Sequence, residues 1–139
     1  TAMQVELVSP EAVLFSGECS QVVTRTVDGD IAFLDDHALF IGALDVGETR
    51  LWADDGVISL ALNRGFVEVS GNVVTILSDA ALGADEIDVA QAQADLDAAA
   101  AALDAAAGAA GTDADDEAAD AADAAHKWAQ VRLAVAGRL

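Results

Sequence analysis

The chain of 139 residues carries 25 acidic against 6 basic side chains, a formal net charge of −19 and a pI near 4.1. That charge excludes an ordinary basic nucleic-acid binder and asks any partner to offer basic groups. The single cysteine, Cys19, excludes an internal disulfide framework and any C-x-x-C metal or redox motif.

Composition changes near Asp79. Residues 1–79 hold 7 alanines and five of the six aromatics (Phe15, Phe33, Phe40, Trp52 and Phe66), whereas residues 80–139 hold 26 alanines and Trp128 alone. In the first part, Met3, Val5 and Leu7 alternate with Gln4, Glu6 and Val8, the period of two of a half-buried strand. The same rhythm predicts strands over residues 21–27, 48–53, 57–62, 66–69 and 73–77. The D-D-G at 54–56 and the S-G-N at 70–72 supply residues that tolerate positive φ, so both are read as hairpin turns. Short strands without helical spacers argue for an antiparallel sandwich or barrel.

In the second part, alanine predicts helix over residues 88–136, with a break at Gly108–Thr112 that makes a hairpin. Asp88 with Gln91 reads as an N-terminal cap, Gly111 as the C′ residue of the first helix, Thr112 as the cap of the second and Gly137 as its end. Val89, Leu96 and Leu103 recur every seven residues with Ala92, Ala99 and Ala106 between them. Ala121, Ala124, Trp128, Val131 and Val135 are read as the facing stripe. Each alanine methyl contributes at most about 0.8 kcal/mol, so weak docking of the hairpin is expected. The predicted units are a β-sandwich over residues 1–84 and a helical hairpin over residues 85–139.

No catalytic constellation is visible. The chain has no Walker loop, G-x-G-x-x-G, H-E-x-x-H or G-x-S-x-G motif. His37 and His126 fall in different units with no second ligand nearby, so no metal site is expected. An enzyme site built from Asp28, Asp30, Asp35 and His37 lacks a nucleophile and a phosphate cradle. The run 113–117 lacks the glycine and the terminal glutamate of a calcium loop, and is read as acidic residues in a helix first turn. No run approaches the ~18 apolar residues of a membrane-spanning helix, and the N-terminus lacks a basic-then-apolar leader, so a soluble protein on the cytoplasmic side is expected.

Three segments in order carry a resemblance: L-V-S-P-E-A-V-L-F-S-G-E at 7–18, G-D-I-A-F-L-D-D-H-A-L-F-I-G-A-L at 29–44 and G-F-V-E-V-S-G-N-V-V-T-I-L-S-D at 65–79. Followed by a two-helix hairpin, they resemble the epsilon subunit of F-type ATP synthases. The end, H-K-W-A-Q-V-R-L-A-V-A-G-R-L, is similar to the terminal helix of actinobacterial members.

The resemblance implies a flattened ten-stranded β-sandwich followed by an α-hairpin. It implies a non-catalytic rotor subunit at the cytoplasmic face of the membrane, associated with that membrane only through the complex. The implied partners are the gamma subunit, the c-ring and, with the hairpin extended, the catalytic head. Asp30, His37, Leu39 and Phe40 fall where the family meets the c-ring, with Phe40 read as an exposed contact. Lys127, Trp128, Arg132 and Arg138 mark a regulatory, basic end of the second helix. Ile87 and Asp88 begin the family's nucleotide motif, but Gln91 stands in place of its arginine, so weak or no ATP binding is expected and no cofactor is assigned. Proline is common in the family at positions 35 and 39, where this chain has Asp35 and Leu39. The alternative reading is a free-standing acidic β-sandwich that binds basic proteins.

Overall fold

A computed structural model describes residues 2–108 and 111–137. Seven strands come first: β1 (Met3–Val8), β2 (Val13–Thr26), β3 (Gly29–Leu34), β4 (Phe40–Leu44), β5 (Gly47–Ala53), β6 (Gly56–Ser70) and β7 (Val73–Gly83). A 3₁₀ turn at Ala84–Glu86 leads into α1 (Val89–Ala107) and α2 (Asp113–Val135). Neighbouring strands pair antiparallel except β1 and β7, which run parallel.

The resemblance implies ten strands and the structure has seven, because three long strands bend instead of breaking. The early part of β2 pairs with β1 and its late part with β3 and β5. The early part of β6 pairs with β5 and its late part with β4. β7 follows β6 along both stretches. Each of these strands therefore serves both layers of the sandwich, and the predicted strands 57–62 and 66–69 are two halves of one.

The bend in β6 falls at Arg64 and Gly65, with φ of 58° and 136°. There the two strands keep one register, from Asn63↔Ala80 to Gly65↔Ser78, but Arg64 and Asp79 between them drop out of the pairing and the strand kinks. The buried Ser78 hydroxyl lies 3.0 Å from the Arg64 carbonyl and 2.8 Å from that of Ala80, donating to the backbone on either side of this unpaired step. A Cβ on Gly65 would lie 1.8 Å from the Leu77 carbonyl oxygen, so no other residue fits this crossing.

Alternation fills the interior with Met3, Val5, Leu7, Val22, Phe33, Leu51, Leu62, Val67, Val69, Val74 and Ile76, each almost fully buried. Thr24 and Thr49 satisfy each other inside at 2.7 Å. Both predicted hairpin turns form. Gly56 closes the first with φ 130°, and Gly71 and Asn72 share positive φ in the second, the conformation of a type I′ turn.

Asp88 caps α1 by accepting from the Gln91 amide at 3.0 Å, and Thr112 with Asp115 forms a capping box on α2. Gly137 follows α2 with φ 79°. The first helix ends earlier than expected: Gly108 is its cap, and Gly111, at φ 81°, leads into Thr112. The α1 seam falls where the heptads place it, with Ala92 and Ala99 buried and Val89, Leu96, Leu103 and Ala106 half-buried. The α2 stripe is displaced from the predicted one. Ala122, Ala129 and Leu133 are buried, Ala121 is exposed, and Ala124, Trp128, Val131 and Val135 are half-buried. The cause is that α2 meets two surfaces, packing on α1 and also on β5 and β6. Ala61 records the second contact. It lies on β6 between Leu60 and Leu62, which belong to the sandwich core, yet it is itself fully buried.

Gly65→Ala should lose about 1–3 kcal/mol from the positive φ alone, and more from the clash with Leu77. Urea unfolding of the full chain measures the loss.

Candidate functional site

Strand β3 pairs only with β2, so it forms an edge among the described residues. Asp30 stands at one end of it, beside the turn at Val27 and Asp28. Its carboxylate accepts from Arg25 Nε at 2.8 Å and from Nη2 at 3.3 Å across the strand pair. This bonding holds the Arg25 guanidinium above its ordinary pKa. Asp30 is therefore half of an exposed ion pair, not a bare acid. Gly47 makes room for that arrangement, because a Cβ there would meet the Arg25 Cβ at 2.6 Å.

His37, Leu39 and Phe40 stand beyond the other end of β3. Leu34 is four residues along the strand from Asp30, about 13 Å at strand rise, so the anticipated contact residues lie along an edge and not in one cluster. Phe40 differs from expectation. It is half-buried, its ring 5.4 Å from Phe33, and the His37 ring stands edge-on to Phe33 at 4.9 Å. Phe40 packs against the core because its strand partner Val69 lies in the core cluster. The apolar groups that reach solvent here are Leu34, Leu39 and Ile41, with Leu39 74% exposed.

A second surface has no counterpart among the residues singled out from the sequence. Val13 opposes Val8, Val8 opposes Leu77, Leu77 opposes Phe66 and Phe66 opposes Ala43. The Val27 amide then donates to the Ala43 carbonyl at 3.0 Å and carries the row to the next turn. The result is an apolar band across five strands, in which Val13, Val27, Phe66 and Leu77 are all more than half exposed. Grooves flank Phe66 on both sides, one of about 230 Å³ toward Val8, Pro10 and Leu77 and one of about 420 Å³ toward Val27, Ala43, Arg64 and Asp79. A contiguous apolar patch with a charged rim is the signature of a protein-contact face. Only pairing register reveals it, since its members come from segments as far apart as Val8 and Leu77.

The hairpin provides the third feature. Arg132 Nη2 donates to Asp95 on the facing helix at 2.9 Å, its Nε donates to the Trp128 carbonyl at 3.2 Å, and its guanidinium lies 5.3 Å from the Trp128 ring. The Gln91 amide adds a bond to Asp95 at 2.8 Å, and with Arg132 it holds the Asp95 carboxyl below the usual carboxylate range. Arg132 is thus turned inward. Lys127 remains on the surface, 3.4 Å from Asp123, and Arg138 lies outside the described residues. Ile87 is buried and the Asp88 carboxylate is used as the cap of α1. No group of three or more His, Cys, Asp or Glu side chains is placed to hold a metal among the described residues, and no helix among them is long and apolar enough to cross a membrane.

These features define a β-sandwich with a docked helical hairpin, offering broad contact surfaces where an enzyme offers a reacting pocket. Residues 2–84 match the family described as ATP synthase, Delta/Epsilon chain, beta-sandwich domain. An ATP synthase epsilon chain of Hydrogenovibrio crunogenus is 38% identical over 92 residues, covering 66% of this chain and 64% of that one. One of Corynebacterium glutamicum is 42% identical over 96 residues, covering 68% and 77%. The fold is similar to a chain in the cryo-EM structure of the Euglena gracilis mitochondrial ATP synthase OSCP/F1/c-ring, with TM-score 0.78 and 19% identity over 97% of this chain and 81% of that one. It is also similar to a chain of the Tetrahymena thermophila mitochondrial ATP synthase central stalk and c-ring, with TM-score 0.63 and 14% identity over 94% and 95%. The chain belongs to the ATP synthase delta/epsilon chain family, and the relatives it matches are epsilon chains.

The lowered pKa of Asp95 fixes the sign of one pH effect. The Asp95–Arg132 contact contributes stability above the unfolded carboxylate pKa, and that contribution is lost as pH falls through the lower folded value. In a Trp52→Phe background, Trp128 fluorescence should hold steady from pH 7 to about 4 and shift only below. With Asp95→Asn added, the shifted spectrum should already be present at pH 7.

Proposed function

We propose that this chain is the epsilon subunit of a rotary ATP synthase. It is a non-catalytic part of the central stalk, seated between the gamma subunit and the c-ring at the cytoplasmic face of the membrane. The observation that carries the reading is the apolar band of Val13, Val8, Leu77, Phe66, Ala43 and Val27 on a sandwich whose sequence matches the epsilon chains. An exposed apolar band with grooves on both sides of Phe66 calls for an apolar partner, and the gamma subunit is the partner this family supplies. The edge from the Arg25–Asp30 pair to Leu39 is the face turned to the ring loops. There a rim ion pair sets orientation and exposed Leu39 adds apolar contact. Proton-driven rotation then passes from ring to gamma through a stiff β-structure, with no bond made or broken in this subunit.

The hairpin is read as a separable regulatory unit over residues 85–139, stored in its docked form. ATP is not assigned to it. Asp88 is engaged as a helix cap, Gln91 is bonded to Asp95 where the family motif has a guanidinium, and no lysine or arginine occurs between Arg64 and Lys127 to receive a triphosphate.

Phe66→Asp and Leu77→Asp change exposed side chains, so both variants should fold normally. Each should lose at least ~2 kcal/mol of gamma binding, the loss typical of an interface anchor, and titration of purified gamma against the full chain reads it. Removing residues 127–139 should raise ATP hydrolysis by the assembled enzyme, and an unchanged rate would count against an inhibitory hairpin.

A further inference from the structure

The connection between β3 and β4 carries Leu39 to the ring-facing edge, and no proline stiffens it, since Pro10 is the only proline in the chain. Its backbone is not relaxed: Asp36 adopts φ 61°, a left-handed conformation that a non-glycine residue keeps only when its surroundings hold it. The holding group comes from the turn between β6 and β7. Asn72 Oδ1 accepts the Asp36 amide at 2.8 Å, and Asn72 Nδ2 donates to Asp35 Oδ1 at 2.6 Å. We propose that Asn72 is the positioning residue of this loop, fixing the presentation of Leu39 to the c-ring.

One side chain meets three requirements at once. The type I′ turn needs positive φ, which Asn72 supplies at 63° and which asparagine tolerates better than other non-glycine residues. The loop needs an acceptor for the Asp36 amide and a donor for the Asp35 carboxylate, and a carboxamide offers both from one short stem. Aspartate would offer no donor and would set a second charge against Asp35. The turn is itself anchored, because the Asn72 carbonyl accepts the Gln4 amide of β1 at 2.9 Å. Strain at Asp36 is thereby tied to the rigid sheet. The far side of the loop is held by the His37 amide on the Leu34 carbonyl at 3.2 Å and by the His37 ring against Phe33. Leu39, two residues beyond His37 and next to Phe40 at the start of β4, projects into solvent from a segment held at both ends, so contact with a partner costs little conformational entropy.

The inference rests on reading this loop as a ring contact, and the test separates the two. Asn72→Gly keeps the positive φ and the turn while deleting only the two side-chain hydrogen bonds. In the full-length chain, hydrogen exchange at the Asp36 amide should quicken about tenfold, the worth of one lost bond, while amides of β6 and β7 and gamma binding stay as they were. Reconstitution onto membranes stripped of this subunit should need about tenfold more Asn72→Gly chain, and Asn72→Asp should fail likewise. Leu39→Asp serves as the control for the face itself. If Leu39→Asp weakens reconstitution and Asn72→Gly does not, or if Asp36 exchange is unchanged, the positioning role is refuted. If Leu39→Asp has no effect, the ring-contact reading fails and the functional half of the proposal fails with it.

Discussion

Gly65 crosses the Leu77 carbonyl so closely that a single methyl would occupy the oxygen's place. That approach lets β6 turn from one layer into the other without breaking its ladder with β7. Because the strand stays continuous, the residues after the bend keep their alternation. Phe66 faces out beside Leu77, and Val67 and Val69 face in. The outer apolar band and the inner core thus come from one geometric constraint. Ser78 completes it by donating to the backbone carbonyls of Arg64 and Ala80 beside the kink.

The hairpin is built on a different principle. Its helices meet through alanine, which allows close approach but buries little area per residue, and its charge is almost entirely negative until Lys127. Cohesion therefore concentrates at the end nearest the sandwich. There Arg132 joins the two helices and covers the Trp128 ring, and Leu133 and Ala129 are buried. A basic residue that looks from sequence like part of an outward-facing positive end is spent holding the pair together. The distal half has propensity and capping, through Thr112 and Asp115, and among the described residues no ion pair joins the two helices there. An element tied firmly at one end and lightly at the other suits a store that can open.

Function in this chain is a matter of surfaces. The band through Phe66 reaches the Val27–Asp28 turn, where the edge from Asp30 to Leu39 begins, so the two surfaces adjoin on one stiff body. Stiffness comes from closure of the strands. β1, β7, β6, β5 and β2 pair in a ring, β4 bridges β6 and β2 across it, and among the described residues only β3 hangs as an edge. A coupling element needs that property more than it needs any reactive group.

Much of the architecture was legible in the residues alone, because it rests on local rules. Period-two alternation located β1, the late part of β2, β5, β6 and β7 but not β3 or β4, positive-φ turn chemistry located the hairpins, and Asp88, Thr112 and Gly137 marked helix ends through bonds that span three or four residues. The rest was decided by contacts between distant segments. Whether two strand signals are one bent strand depends on the close approach of Gly65 to the Leu77 carbonyl, and the buried face of α2 depends on its having both a helix and a sheet to cover it. The apolar band exists only as a register across five strands, Phe40 turns inward because Phe33 and Val69 await it, and Asn72 reaches a loop 36 residues away in sequence. Sequence determines which conformations each segment prefers, since those preferences are energies of near neighbours. Only the folded chain decides which side chains share a surface, because that is set by closure of the sheet.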